Sequence, residues 1–93
     1  MKVTIEPQPR EFIGRQPPVV RRRLREALHA IERGDMFPEP LEDELDGFYK
    51  VKLEDYRIIV QHASGGDGPF FRVVFIERRR LVYELFGQIL GLE

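Results

Sequence analysis

The stretch GFYKVKLEDYRII, Gly47 to Ile59, decides how the chain is read. Apolar and charged residues alternate on either side of Glu54-Asp55, the pattern of two extended strands joined by a tight reversal. Tyr49, Val51 and Leu53 share one face of the first strand, and Lys50 and Lys52 share the other. With Glu54 and Asp55 as turn residues, Lys52 falls directly opposite Arg57. Like charges so placed destabilise a sheet by roughly a few tenths of a kcal/mol or more. A face that only meets water more often pairs opposite charges. The group Lys50, Lys52 and Arg57 therefore reads either as a solvated sheet face or as a site for an anion.

Working outward, Val3 to Ile5 is a short strand candidate that stops at Pro7 and Pro9. Pro9 to Gln16 has the makings of a short helix carrying Phe12 and Ile13. Pro17-Pro18 opens the clearest element, because proline suits a first helical turn. Val20, Leu24, Ala27, Leu28 and Ile31 recur at three- and four-residue spacing, which draws one apolar stripe along a helix ending at Gly34. These two helices form a helical hairpin. Asp35 to Gly47 reads as an acidic loop broken by Pro38 and Pro40. Strands are expected over Phe48–Leu53, Tyr56–His62 and Phe70–Glu77, with the glycine-rich Ser64-to-Pro69 turn between the last two. The run Phe70 to Ile76 is nearly all apolar, as in a strand covered on both faces. Leu81 to Phe86 is read as a possible final strand and Gly87 to Leu92 as a tail. The expected architecture is α+β: an N-terminal strand, a helical hairpin, then an antiparallel sheet of 3–4 strands with the helices on one face.

At 93 residues the chain has room for one domain and one modest core, residues 1–93. A hydrophobic fraction of 42% with 33% charged residues is ordinary for a soluble globular protein. There are no cysteines, which excludes disulfides, thiolate metal sites and cysteine nucleophiles, and fits a reducing cytoplasm. The N-terminus shows no apolar signal-peptide core, and no stretch approaches a membrane span. The net charge of −1 hides a segregation. Acid gathers at Glu39, Glu42, Asp43, Glu44 and Asp46, and base at Arg21, Arg22, Arg23 and Arg25 and again at Arg78, Arg79 and Arg80. Local clustering, more than net charge, decides whether a protein meets a polyanion.

Arg79 and Tyr83 follow the last clear strand, where an antiparallel sheet can bring them to the surface that holds the lysines. Cations beside an exposed aromatic ring describe a nucleic-acid site, with phosphates on the cations and a base stacked on the ring. Spacing by itself makes this a weak signal. Arg21, Arg22 and Arg25 read first as the wet face of their helix and second as a docking surface for RNA or an acidic partner. His29 and His62 lie far apart with no ligand spacing, so no metal site is expected. The only glycine-rich stretch is a turn, and no phosphate-binding loop is present.

Taken together, these residues resemble the RelE/ParE superfamily of bacterial toxin–antitoxin toxins. Its middle commonly runs as a leucine- and glycine-bearing stretch, a "YK-x-K" pair and "YRI" plus an apolar residue. Here those are Leu41, Leu45 and Gly47, then Tyr49-Lys50-Val51-Lys52, then Tyr56-Arg57-Ile58-Ile59. Its end, commonly "IGHR-x-x-VY", matches Ile76-Glu77-Arg78-Arg79-Arg80-Leu81-Val82-Tyr83 with the same arginine-to-tyrosine spacing. The resemblance implies the β-α-α-β-β-β order, a cognate antitoxin as partner, and a metal- and cofactor-free endoribonuclease that cleaves mRNA on the ribosome. In that reaction the 2′-hydroxyl attacks the adjacent phosphate. By position it implies Lys50 and Lys52 as base and charge stabilisers and Arg57 on the phosphate. It further implies Arg79 at the leaving group and Tyr83 on a base. The basic clusters add Arg78, Arg80, Arg21, Arg22 and Arg25 as candidate RNA contacts. The lysine pair favours the RelE side over the gyrase-poisoning ParE side. Glu77 departs from the pattern, where glycine is usual, and a carboxylate on that face is expected to attenuate cleavage. The pI near 6.1 is also low for a ribosome-acting member.

Overall fold

The structure, a computed structural model describing residues 1–92, forms the expected hairpin from Phe48–Leu53 (β3) and Tyr56–Gly65 (β4) around Glu54-Asp55. Lys52 stands opposite Arg57 and Leu53 opposite Tyr56. Gly68–Arg78 (β5) returns antiparallel to β4, and Gly66-Asp67 make their turn, with Gly65 opposite Gly68. The sheet has five strands in the order β1-β5-β4-β3-β2. Its outer members are Lys2–Ile5 (β1), which pairs parallel to β5, and Glu39–Pro40 (β2), which pairs antiparallel to β3. The sheet is thus mixed. β2 was not foreseen in the acidic loop; Pro40, which lacks an N–H, is tolerable there because β2 is an edge.

The helical hairpin comprises Pro7–Arg15 (α1) and Pro18–Arg33 (α2). α1 starts at Pro7 rather than Pro9: both prolines fall in its first turn, where their missing N–H groups have no intrahelical partner to lose. α2 ends at Gly34, whose φ of 82° is the left-handed conformation that glycine takes without a Cβ penalty. Ile13 of α1 and Leu24, Ala27, Leu28 and Ile31 of α2 are buried against Val51, Ile58, Val60, Val73 and Ile76, which fill one face of the sheet.

The opposite face is built differently from expectation. Val82–Ile89 is a helix (α3), not a strand. Val82, Leu85, Phe86 and Ile89 stand at the i, i+3, i+4, i+7 spacing of a helix, and Val82 and Phe86 are buried with Ile59 and Phe75. Phe86 stands edge-on to Phe48, with centroids 5.0 Å apart, and tilted over Phe75 at 5.5 Å. An irregularity in the β4–β5 ladder between Ile59 and Val60 leaves Val74 as the extra residue, so both Val74 and Phe75 serve this second cluster. That explains the nearly unbroken apolar run in β5. The helical hairpin therefore covers one face, and α3 with the loop residues Leu41 and Leu45 covers the other.

β1 reaches only as far as Val73 along β5. Beyond it, Gln8 of α1 continues the pairing with its side chain. Its Nε2 donates to the Ile76 carbonyl at 2.8 Å, and its Oε1 accepts the Ile76 N–H at 2.9 Å. The amide imitates a strand where none is present, and holds the end of β5 that leads into Glu77-Arg78-Arg79-Arg80.

Candidate functional site

Because paired residues of an antiparallel ladder share a face, the register assembles the site row by row. Lys52, Arg57 and Glu77 form one row across β3, β4 and β5, and Lys50, Ile59 and Phe75 form the next. Ile59 and Phe75 belong to the cluster under α3, so these rows lie on the α3 face of the sheet. Lys50, Arg57 and Glu77 are half-buried and Lys52 is exposed. Among the described residues, neither Lys50, Lys52 nor Arg57 forms an ion pair.

Arg57 does more than carry charge. Its Nη1 donates to the carbonyls of Glu54 at 2.9 Å and Tyr56 at 2.8 Å, bracing the β3–β4 turn. Glu54 sits in that turn at φ 52°, which strains a residue with a Cβ. Its carboxylate also forms an ion pair with Arg23 of α2. The turn is thus fastened from both sides. Glu77 stands opposite Arg57, yet its Oε2 accepts the backbone N–H of Arg78 at 2.8 Å. The carboxylate anticipated on this face is there, held by the backbone and not by a cation.

The remaining arginines separate. Arg79, just past β5, pairs through Nε with Asp55 Oδ1 at 3.1 Å, while its backbone N–H reaches the Asp55 carbonyl at 2.8 Å. This puts it at the β3–β4 turn, beside the Lys52 row. Arg78 points to the other face, its guanidinium 5.8 Å from the ring centroid of Tyr56, which packs with the helical hairpin. Neighbouring strand residues alternate faces, so Arg78 lies on the opposite side of the sheet from Glu77 and the lysines. Arg80 is exposed in the link to α3. Arg21, Arg22 and Arg25 ride on α2, across the sheet from the lysines. Any polyanion they meet is met on a separate surface.

Tyr83 reaches the α3 face from a helix and not from a strand end. It is 37% exposed, in the first turn of α3 directly after the buried Val82. With Glu44, Leu45, Gly87, Gly91 and Leu92 it lines an open cleft of about 480 Å³. Glu39, opposite Lys50 across β2 and β3, adds a further carboxylate near the rows. Neither Glu39 nor Glu44 is legible on this face from the sequence, since pairing between the acidic loop and β3 leaves no mark in local periodicity. Chemically, the face offers adjacent cations with free valences, an aromatic platform and flanking carboxylates. Groups of this kind are chemically suited to a phosphodiester, whose negative charge the cations can offset.

No family model matches this chain, and neither does any curated protein sequence. Its fold does match solved structures. The toxin–antitoxin complex RelBE2 of Mycobacterium tuberculosis superposes with a TM-score of 0.69 at 19% identity, covering 84% of this chain and 90% of that one. A YoeB/ParE toxin from Agrobacterium tumefaciens gives 0.65 at 16% identity, covering 85% and 99%. A RelB–RelE antitoxin–toxin complex from Methanococcus jannaschii gives 0.60 at 15% identity, covering 89% and 98%. The α+β fold read from the sequence is the fold of these RelE/ParE-type toxins.

Proposed function

We propose that this chain is the toxin of a toxin–antitoxin pair and that it cleaves mRNA on the ribosome by attack of a 2′-hydroxyl on the adjacent phosphate. The observation that carries the reading is the Lys52–Arg57 opposition with Lys50 on the same face, none of them held in an ion pair among the described residues. Arg57 has a structural duty at the turn, but a second cation placed opposite it at Lys52 opposes folding and gives the sheet nothing in return. In this reading a lysine takes the proton of the attacking hydroxyl, the other cations stabilise the phosphorane, and Arg57 grips the phosphate. Arg79 serves the leaving oxygen after exchanging Asp55, an exposed partner worth only ~0–1 kcal/mol, for RNA. Tyr83 stacks on a base. Arg21, Arg22 and Arg25, across the sheet, and Arg78 and Arg80 contact RNA outside the cut. Two of the similar structures are complexes with an antitoxin, which supports an antitoxin as partner here.

A second reading, a non-cleaving gyrase poison or inactivated relative, draws on a specific observation. Glu39 stands opposite Lys50, Glu77 stands opposite Arg57, and Asp55 pairs with Arg79. Induced expression followed by mapping of RNA 5′ ends separates the two. Cuts inside translated frames support the toxin nuclease. Intact RNA with gyrase-linked DNA breaks refutes it in favour of the second reading.

A further inference from the structure

The cleft beside Tyr83 has features that base stacking alone leaves unexplained. Its volume of about 480 Å³ lies within the range of small-molecule sites. Tyr83 and Gly87 stand four residues apart, hence on one face of α3, so the helix is bare one turn beyond the ring. A Cβ at Gly87 would meet nothing closer than the Leu92 carbonyl at 3.8 Å, and a Cβ at Gly91 nothing within 4 Å. The room next to the tyrosine is therefore real and flat-sided. Across it stands Glu44, exposed, at the short helical turn Asp43–Leu45 whose Leu45 packs under α3. The same turn of α3 carries Val82, which shares its buried cluster with Ile59, and Ile59 shares a cross-strand row with Lys50. The cleft thus lies on the α3 side of the sheet, the side that also carries the cationic rows.

We propose that Glu44 reads the Watson–Crick edge of the base stacked on Tyr83 and selects guanine. An ionised carboxylate only accepts hydrogen bonds, at two parallel oxygens. Guanine alone among RNA bases presents two adjacent donors on that edge, its N1–H and N2–H groups, and can engage both oxygens. Adenine and cytosine each set a ring-nitrogen acceptor beside a single amino donor, and uracil flanks its one N–H with carbonyls. A carboxylate meets repulsion from each of them. Sequence-specific RNA recognition commonly pairs stacking with this kind of edge readout. Glu44 is in this role a specificity residue, not a catalytic one.

The assignment deepens the RNA-cleaving reading, and its test is chosen to fail separately from it. Equilibrium binding of the trinucleotides UGU, UAU, UCU and UUU, with every 2′-hydroxyl methylated to prevent cutting, reads the cleft alone. UGU is expected to bind about tenfold tighter than the others, the ordinary worth of a good bidentate contact. Glu44→Gln is expected to level the four by weakening UGU and strengthening UAU, because an amide supplies the donor that the N1 acceptor of adenine lacks opposite a carboxylate. Gly87→Val is expected to weaken all four without lowering thermal stability, since its side chain projects into the cleft and not into the core. Equal binding of the four by the wild type, or a guanine preference that survives Glu44→Gln, overturns the proposal. Guanine-selective binding in a protein that cuts no RNA would leave this inference standing and remove the nuclease reading.

Discussion

Replacing Gln8 tests whether a side-chain amide does the work of a missing strand. Ile76 is fully buried, and both its backbone groups on the β1 side depend on Gln8 at 2.8 and 2.9 Å. Each such bond contributes about 0.5–1.5 kcal/mol net, and a backbone group left dry and unpaired costs about 1–3 kcal/mol. Gln8 also lines an open groove, so water reaches part of the gap once the amide is gone. Gln8→Leu should then cost about 2–3 kcal/mol, or roughly 10–20 °C in Tm at this chain length. Gln8→Glu sharpens the test. Its ionised carboxylate accepts the Ile76 N–H but faces the Ile76 carbonyl with a second acceptor, while the protonated acid restores the donor. The folded state therefore raises that carboxyl's pKa above the ordinary ~4.3. The deficit should be full at neutral pH, shrink as pH falls through the folded pKa, and vanish below ~4.3. Thermal unfolding by circular dichroism at pH 7 and pH 4, each against wild type, reads both effects. A Gln8→Leu protein that melts within about 2 °C of wild type, or a Gln8→Glu deficit that ignores pH, refutes the reasoning.

Lys52→Gln removes one side of a like-charge row. It should raise stability by a few tenths of a kcal/mol in urea titration while abolishing RNA cleavage; a clear loss of stability would make Lys52 structural. Arg57→Gln should abolish cleavage too but cost about 1 kcal/mol, because the two carbonyls at the turn lose their donor. Equal stability effects at the two positions would contradict the bracing role of Arg57. Glu77→Gln keeps an acceptor for the Arg78 N–H while removing the charge opposite Arg57, so cleavage in a reconstituted translation assay should rise several-fold. An unchanged rate would mean that the carboxylate does not touch the reaction. Phe86→Ala empties the buried space between Phe48 and Phe75 and should cost about 3–5 kcal/mol, read as a loss of cooperative unfolding.

Local patterning carried the sequence a long way. The alternation around Glu54-Asp55 determined the β3–β4 register and with it the opposition of Lys52 and Arg57, because a two-residue turn leaves no other pairing. The apolar stripe from Val20 to Ile31 and the glycine after it determined α2 to its last residue. The placement of Glu77 on the lysine face followed from the period of two. Each of these depends on residues a few positions apart, where periodicity and turn chemistry act.

Tertiary structure decided the rest. Whether Leu81 to Phe86 forms a strand or a helix turned on Val82 and Phe86 finding an apolar surface at Ile59, Phe75 and Phe48, a match that short-range reading weighed too lightly against β-branched and aromatic content. That helix brings Tyr83 to the α3 face and opens the cleft against Glu44. The joining of β1 to β5 in parallel, the Gln8 amide completing the ladder, and the dispersal of the arginine runs to separate faces and to Asp55 are likewise settled by contacts between segments remote in sequence. Such contacts form where buried surface and unpaired backbone groups demand partners, and the chain's local pattern does not record which partner will be nearest.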